Sequence, residues 1–116
     1  MAEAKASVMN CGVPARKTRL VADLIRGKKV SEARAILQFT RKASAPIIRK
    51  ALESAVANAE NRAAEKRERI DTDGMIVKRI EVGEGRTLGR FQPASRGRAL
   101  PIRKRHSHIK LEIGDK

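Results

Sequence analysis

The chain has 116 residues, of which 41% are hydrophobic and 34% are charged, and its 27 Lys and Arg outnumber its 13 Asp and Glu to give a net charge of +14. This composition supplies one modest core and excludes a disordered polymer, so we expect a single domain over residues 1–116. Because so much positive charge would repel itself in an isolated compact chain, we also expect a polyanionic partner, most simply nucleic acid.

Other features of the sequence exclude several classes of protein. No run approaches the roughly 18 consecutive apolar residues that a membrane-spanning helix needs, and residues 1–10 lack the apolar core of a signal peptide. Cys11 stands alone, which excludes an intrachain disulfide, suits a reducing cytoplasm and is typical of a small buried hydrophobe. With two Phe and no Trp or Tyr, the chain has no platform for stacking unpaired bases, so contacts to the backbone and shape of a folded nucleic acid are favoured.

Three helices are predicted in the first half of the chain. The first runs from about Pro14 to Arg26 and is stopped by Gly27. The second takes Ser31 as its N-cap and runs to about Phe39. The third starts near Ser44, with Pro46 in its first turn. Apolar residues at helical spacing predict the buried faces: Leu20, Val21, Leu24 and Ile25 in the first, Ala33, Ile36 and Leu37 in the second, and Ile48, Leu52, Ala55, Val56 and Ala59 in the third.

Two half-buried strands are predicted in the second half, where the apolar period falls to two. The first places Ile76, Ile80 and Val82 on one face, and Met75, Val77, Arg79 and Glu81 on the other. The second has Ile109, Leu111 and Ile113 alternating with Lys110 and Glu112.

Between these strands, Gly85–Lys110 holds eight Arg or Lys and no carboxylate. We interpret the region of about residues 83–104 as a long antiparallel hairpin whose distal half leaves the domain. About 12 residues per arm at about 3.3 Å each would reach about 40 Å. Because an unsupported hairpin is only marginally stable in water, we expect its tip to be mobile when free and ordered when bound.

Phosphate contact is the predicted role of two sets of basic residues, because an Arg guanidinium can donate two hydrogen bonds to one phosphate. The hairpin set is Arg86, Arg90, Arg96, Arg98, Arg103, Lys104 and Arg105. The body set, at the first helix and the loop after it, is Arg16, Lys17, Arg19, Lys28 and Lys29. For the body set, ordinary surface charge is the alternative.

His106 and His108 share a face of the second strand, but a metal site would lack its third and fourth ligands, so RNA contacts or hydrogen bonds are expected and no metal or other cofactor is predicted. Ser107 has no base and acid arranged for nucleophilic catalysis. The glycines at 83, 85, 89 and 97 match no phosphate-binding loop. Glu81 and Glu84 are interpreted as partners of nearby basic residues, so no enzymatic function is predicted.

Two segments carry a family resemblance. The first is LVADLIRGKKVSEARAIL (Leu20–Leu37), continued by ALESAVANAENR (Ala51–Arg62), and the second is GRTLGRFQPASRGRALPIRKRHSHI (Gly85–Ile109). In this order they resemble the bacterial large-subunit ribosomal protein twenty-two family over nearly the whole chain. The resemblance implies an α+β fold in which three helices pack on a three-stranded antiparallel sheet with a long protruding β-hairpin. The remaining strand would lie around Lys5–Asn10.

The resemblance also implies a function. The chain would be a structural constituent of the large ribosomal subunit in the cytoplasm, an rRNA-binding ribonucleoprotein component that acts in translation. Its implied partners are 23S rRNA, neighbouring large-subunit ribosomal proteins and, at the hairpin tip, the nascent polypeptide chain in the exit tunnel, with no membrane. Carried onto this sequence, the tunnel-wall tip is Leu88, Gly89, Arg90, Phe91, Gln92, Pro93, Ala94, Ser95 and Arg96. The lack of a targeting segment favours a bacterial over an organellar copy.

The sequence departs from the family pattern at a few positions. Where the family usually has a capping Ser followed by a basic helix start, this chain has Val13, Pro14 and Ala15, which predicts a less well capped first helix. Arg86 replaces a proline and Gly89 replaces a lysine of the usual hairpin pattern, which changes the expected tunnel-wall surface. Pro101 removes one donor from the returning strand.

The residues alone leave two other classes open. An architectural DNA-binding protein could grip a duplex with a basic β-arm and insert Phe91 or Pro93 as an apolar wedge. Such proteins usually dimerise and bend DNA, whereas a ribosomal protein would be a monomer that sediments with large particles. A binder of anionic membranes is the third class.

Overall fold

The computed structural model describes residues 3–67, 72–93, 95–97 and 99–114. In chain order the elements are β1 (Glu3–Cys11), α1 (Ala15–Ile25), α2 (Val30–Phe39), α3 (Ala45–Lys66), β2 (Ile76–Pro93), a 3₁₀ turn (Ser95–Gly97) and β3 (Ala99–Gly114). Within the described ranges these are three α-helices and a three-stranded antiparallel sheet. The predicted α+β class is confirmed.

The sheet has the order β1-β3-β2, so β3 is the central strand. β1 confirms the strand expected around Lys5–Asn10 and pairs with the inner part of β3, from Glu3 opposite Gly114 to Cys11 opposite Ser107. β2 pairs with all of β3, from Ile76 opposite Gly114 to Pro93 opposite Ala99. Before Ser107, β3 therefore has a partner on one side only. We call this two-stranded part, from residue 85 of β2 to residue 106 of β3, the outer hairpin. It explains the elongated shape of the molecule, which measures 66 × 26 × 16 Å.

One core joins the three helices to the inner part of the sheet. The predicted buried face of α3 is confirmed, as is the alternation in β3; the residues concerned are Ile48, Leu52, Ala55, Val56, Ala59, Ile109, Leu111 and Ile113. Ser44 is the N-cap residue of α3 and Pro46 lies in its first turn, as predicted. No helix in the described part of the chain is both long enough and apolar enough to cross a membrane.

The buried face of α1 differs from the prediction. Leu20 and Leu24 are 60% and 48% exposed, whereas Val21 and Ile25 are buried. Thr18 completes the buried face, because its hydroxyl donates to the Pro14 carbonyl at 3.0 Å and so enters the core without an unpaired polar group. Gly27 ends the helix as expected, with φ of +78° that favours glycine.

α2 begins two residues earlier than predicted, and Ser31 is not its N-cap. The cap position is Lys29, which makes no side-chain capping bond. The sheet fixes this start, because Val30 is fully buried and donates its N–H to the Met75 carbonyl at 2.8 Å. Gly27 N–H and Lys28 C=O also pair with Val77, at 3.0 and 2.9 Å.

A bulge explains why the predicted alternation of β2 is wrong at its start. The register with β3 shifts between Val77 and Arg79, so Lys78 is an extra residue. Val77 and Ile80 are consequently both buried, while Ile76 is only half-buried. Lys78 Nζ lies 2.9 Å from Glu3 Oε1, and its hydrogen bond and charge hold the pKa of that carboxyl below the usual value.

Candidate nucleic-acid interface

The hairpin leaves the body at a second bulge. Glu84 pairs with Ser107 and Thr87 pairs with Arg105, so Gly85 and Arg86 both stand opposite His106. His106 Nδ1 lies 3.0 Å from the Arg86 carbonyl oxygen. A Cβ at Gly85 would lie 3.2 Å from the His106 carbonyl group and 3.2 Å from His108 Cε1. The His106 ring thus stabilises the bulge through its hydrogen bond, and Gly85 leaves room for the close approach of His106 and His108.

A buried polar cluster joins three elements at the same level of the molecule. Ser107 is fully buried, and its hydroxyl donates to the Val13 carbonyl at 2.8 Å. Its oxygen also lies 2.8 Å from Cys11 Sγ and 3.4 Å from Thr18 Oγ1. Cys11 is buried, as predicted. The cluster ties the end of β1 and the start of α1 to the central strand.

Two arginines of α1 attach the helix to the inner part of β2. Arg19 Nε donates to the Val82 carbonyl at 3.2 Å, so this predicted phosphate ligand also has a structural contact. Arg26 Nη2 donates to the Ile80 carbonyl at 3.1 Å and its other terminal nitrogen pairs with Asp23. The role of Arg26 was missed in the sequence, where nothing distinguishes it from other surface basic residues.

A cleft of about 370 Å³ lies between the first turn of α1 and the base of the hairpin. We call it the basal cleft; its lining is Pro14, Ala15, Arg16, Glu84, Gly85, Thr87, Arg103, Arg105 and His106. It brings Arg16 of the body set together with Arg103 and Arg105 of the hairpin set. The first turn of α1 has no acidic residue and no side-chain cap, as Pro14 predicted.

The predicted basic residues are exposed wherever the structure describes their side chains. These residues are Arg16, Lys17, Arg19, Lys28, Lys29, Arg86, Arg96, Arg103, Lys104 and Arg105. Within the described ranges none of them forms an ion pair. The ion pairs found there join Arg26 to Asp23, Arg34 to Glu53 and Asp73, Lys78 to Glu3 and Arg79 to Glu81. The predicted role of Glu81 as a partner of a basic residue is thereby confirmed.

The body set does not form one patch. Arg16 lies at the start of α1 beside the hairpin, whereas Lys28 and Lys29 follow its end and lie by Val77 and Ile76. An 11-residue helix separates the two ends by about 16 Å. The charges therefore follow the length of α1 instead of converging on one point.

The tip is described in part. Arg90, Phe91, Gln92 and Pro93 pair through their backbones with residues 102, 101, 100 and 99. Leu88 is half-buried, Gly89 is exposed, and Arg96 is exposed with φ of +63°. Ala94 and Arg98 lie outside the described residues, and for Ser95 only the backbone, in the 3₁₀ turn, is described.

His106 and His108 are both half-buried. Within the described part of the chain, no three His, Cys, Asp or Glu side chains come close enough to hold a metal ion together. His108 packs near Gly85, and the two imidazoles belong to the bulge at the hairpin base.

Comparisons with known proteins extend over nearly the whole chain. Residues 6–114 match a family model described as ribosomal protein L22p/L17e. The chain is 47% identical over 113 residues to the large ribosomal subunit protein uL22 of Latilactobacillus sakei subsp. sakei (strain 23K), covering 97% of this chain and 92% of that protein. It is 49% identical over 113 residues to uL22 of Staphylococcus aureus (strain JH9), with the same coverage. Identity to uL22 of Macrococcus caseolyticus (strain JCSC5402) is 48% over 114 residues, covering 98% of this chain and 88% of that protein. These similarities confirm the resemblance carried by the two sequence segments.

Proposed function

The chain belongs to the ribosomal protein L22p/L17e family, and from this premise we propose that it is a structural constituent of the large ribosomal subunit that binds 23S rRNA through the basal cleft and the hairpin. The relatives it matches over most of their length are large-subunit proteins. The family is a structural one, and the chain is not an enzyme. Its place is the cytoplasmic ribosome, among rRNA and neighbouring ribosomal proteins.

The observation that carries rRNA binding is the convergence of exposed, unpaired cations from two elements. Arg16 on α1 and Arg103 and Arg105 on β3 line one cleft, and no described acid pairs with them. Unpaired guanidinium groups held close together repel one another, and phosphate groups relieve this repulsion. Binding releases condensed counterions from the RNA, which supplies a large part of the affinity.

The second part of the proposal concerns the hairpin tip. From Glu84 outward, no described side chain of β2 is buried, and none of β3 is buried before Ser107. A ladder without its own core is suited to lying between other surfaces, because both of its faces are available. We assign residues 88–96 to the wall of the exit tunnel, where they would face the nascent chain, on the strength of the family resemblance.

The salt dependence of binding tests the rRNA contact. Wild-type chain, Arg103→Ala and Arg105→Ala are titrated with transcribed 23S rRNA at a series of salt concentrations. Each substitution should weaken binding and reduce the slope of log K against log[salt] by about 0.7 to 0.9, the contribution of one phosphate contact. Lys50→Ala removes an exposed charge from the N-terminal part of α3, outside both predicted sets, and is the matched control.

An unchanged slope in both arginine variants would contradict phosphate contact in the basal cleft.

Sedimentation of the wild-type chain tests whether the protein is a component of the large ribosomal subunit. A monomer that joins large-subunit particles is expected, whereas a homodimer that bends duplex DNA, or a chain retained on acidic vesicles at physiological salt, would overturn the proposal.

A further inference from the structure

We propose that His106 makes the basal cleft selective for RNA, by accepting a hydrogen bond from the 2′-hydroxyl of a ribose whose neighbouring phosphate lies on the cleft arginines. The inference rests on the proposed function and deepens it. The 2′-hydroxyl is the group that distinguishes RNA from DNA at a given site. Selectivity therefore requires a group in the cleft that forms a hydrogen bond with this hydroxyl.

The tautomer of His106 follows from its hydrogen bond. The partner of Nδ1 is the carbonyl oxygen of Arg86, at 3.0 Å, and a carbonyl oxygen can only accept. Nδ1 must therefore carry the proton. In the neutral ring the lone pair then belongs to Nε2, because one ring nitrogen donates and the other accepts.

The described residues offer the His106 ring the bond to Arg86 and no other hydrogen bond, so Nε2 has no partner among them. The ring is half-buried, and the residue lines the cleft together with Arg16, Arg103 and Arg105. Guanidinium groups carry donors only, so they can bind a phosphate but cannot accept from a ribose hydroxyl.

Two other side chains of the cleft could accept such a bond, and both suit the role less well. Glu84 and Thr87 are exposed and their side chains form no hydrogen bond within the described ranges, so the side-chain orientations would have to be fixed on binding. Glu84 also carries a negative charge that repels the phosphate next to the ribose. The His106 ring is already fixed by its bond across the bulge, so less side-chain conformational entropy is lost when Nε2 binds a ligand.

The proposed ligand is thus a ribose with its adjacent phosphate, as displayed along the minor groove of an A-form RNA helix. The arginines bind the phosphate in RNA and DNA alike, whereas His106 adds a contact that only RNA can make. Loss of one such hydrogen bond should weaken binding by about 2- to 10-fold.

The test is 2′-deoxy interference with the full-length chain. 23S rRNA transcripts that carry sparse 2′-deoxynucleotides are separated into bound and free fractions by the wild-type chain. At least one nucleotide should be depleted of deoxy substitution in the bound fraction. His106→Asn keeps an N–H in the place of Nδ1 but has no Nε2, so the depletion at that nucleotide should disappear.

His106→Gln is the complementary variant, because it carries an amide oxygen near the place of Nε2 but loses the donor to Arg86. We expect it to retain the depletion. Thermal unfolding of both variants identifies any loss of binding that comes from a loss of folding, and the glutamine variant decides the question if the asparagine variant does not fold.

The outcomes separate this inference from the proposed function. If the wild-type chain binds 23S rRNA but shows no position sensitive to deoxy substitution, or if His106→Asn keeps every such position, the inference is overturned and rRNA binding stands. Depletion lost in the glutamine variant and kept in the asparagine variant would also overturn it. A wild-type chain that binds duplex DNA as tightly as 23S rRNA would overturn the proposed function itself.

Discussion

Ser107 is the first residue along β3 that has a neighbouring strand on both sides, with Cys11 on one and Glu84 on the other. It is fully buried, and its hydroxyl donates a hydrogen bond to the Val13 carbonyl and also contacts the Cys11 thiol. Residues 11–13 and residue 107, which are far apart in sequence, meet at this one oxygen. The buried end of the hairpin is therefore held by hydrogen bonds as well as by apolar packing.

Replacing Ser107 by Ala should destabilise the fold. The substitution removes the donor at 2.8 Å from the Val13 carbonyl and the acceptor at 2.8 Å from the Cys11 thiol, and leaves these two groups only their mutual contact at 3.9 Å, which costs about 1 to 3 kcal/mol. Urea unfolding measures the change, and Ser54→Ala on the exposed surface of α3 should alter the free energy of unfolding by less than about 0.5 kcal/mol. Equal effects of the two substitutions would show that the buried cluster does not contribute.

Sequence reasoning at this scale found the exposed cations and missed the buried polar groups. An arginine run without carboxylates has few ways to be neutralised within the chain, so the exposure of Arg103 and Arg105 could be predicted. Thr18 and Ser107 could not, because their partners lie elsewhere in the sequence and a hydroxyl gives no apolar signal. The missed Thr18 is also why Leu20 was assigned to the core.

Among the elements, the helices were predicted to within about a residue at most ends, whereas the strands were predicted without their bulges. Helix ends depend on local features, such as Pro46 in the first turn of α3 and Gly27 after α1. A bulge depends on the partner strand, because a residue is extra only when two residues of one strand lie opposite one residue of the other. The bulges at Lys78 and at Gly85 and Arg86 could therefore not be read from alternation in β2 alone.

Gly85→Ala should destabilise the bulge at the hairpin base. The added Cβ would lie 3.2 Å from the His106 carbonyl group and 3.2 Å from His108 Cε1. Both histidines would have to shift, at a cost of about 1 to 3 kcal/mol. Gly89→Ala, four residues further along β2, is the matched control, since no atom beyond its two chain neighbours lies within 4 Å of its added Cβ. Thermal unfolding in which Gly89→Ala is the more destabilised of the two would contradict the packing described here.

The whole molecule divides into a body with a core and an outer hairpin without one. Val77, Ile80, Ile109 and Leu111 are buried beneath the helices, whereas no described side chain of the outer hairpin is buried. The division was predicted from the failure of apolar alternation after Gly85. The mobility of the free tip stays a prediction.

Hydrogen exchange tests this prediction in the isolated chain. Amides of the outer ladder, such as Leu88 and Lys104, should exchange at least about 100-fold faster than those of Ile80 and Leu111, because opening the ladder exposes little apolar surface. On binding 23S rRNA, the outer amides should become protected. Full protection of Thr87–Arg98 in the free chain would contradict the prediction.

The strand order has a consequence for how the molecule is made. Ribosomes synthesise the two flanking strands before the central one, so β1 and β2 have no common neighbour until the last stretch of the polypeptide has emerged. Until then β1 and the inner part of β2 are two strands without a partner between them. Its closing step is the insertion of residues 107–114 between them, which unites the earliest and latest parts of the chain.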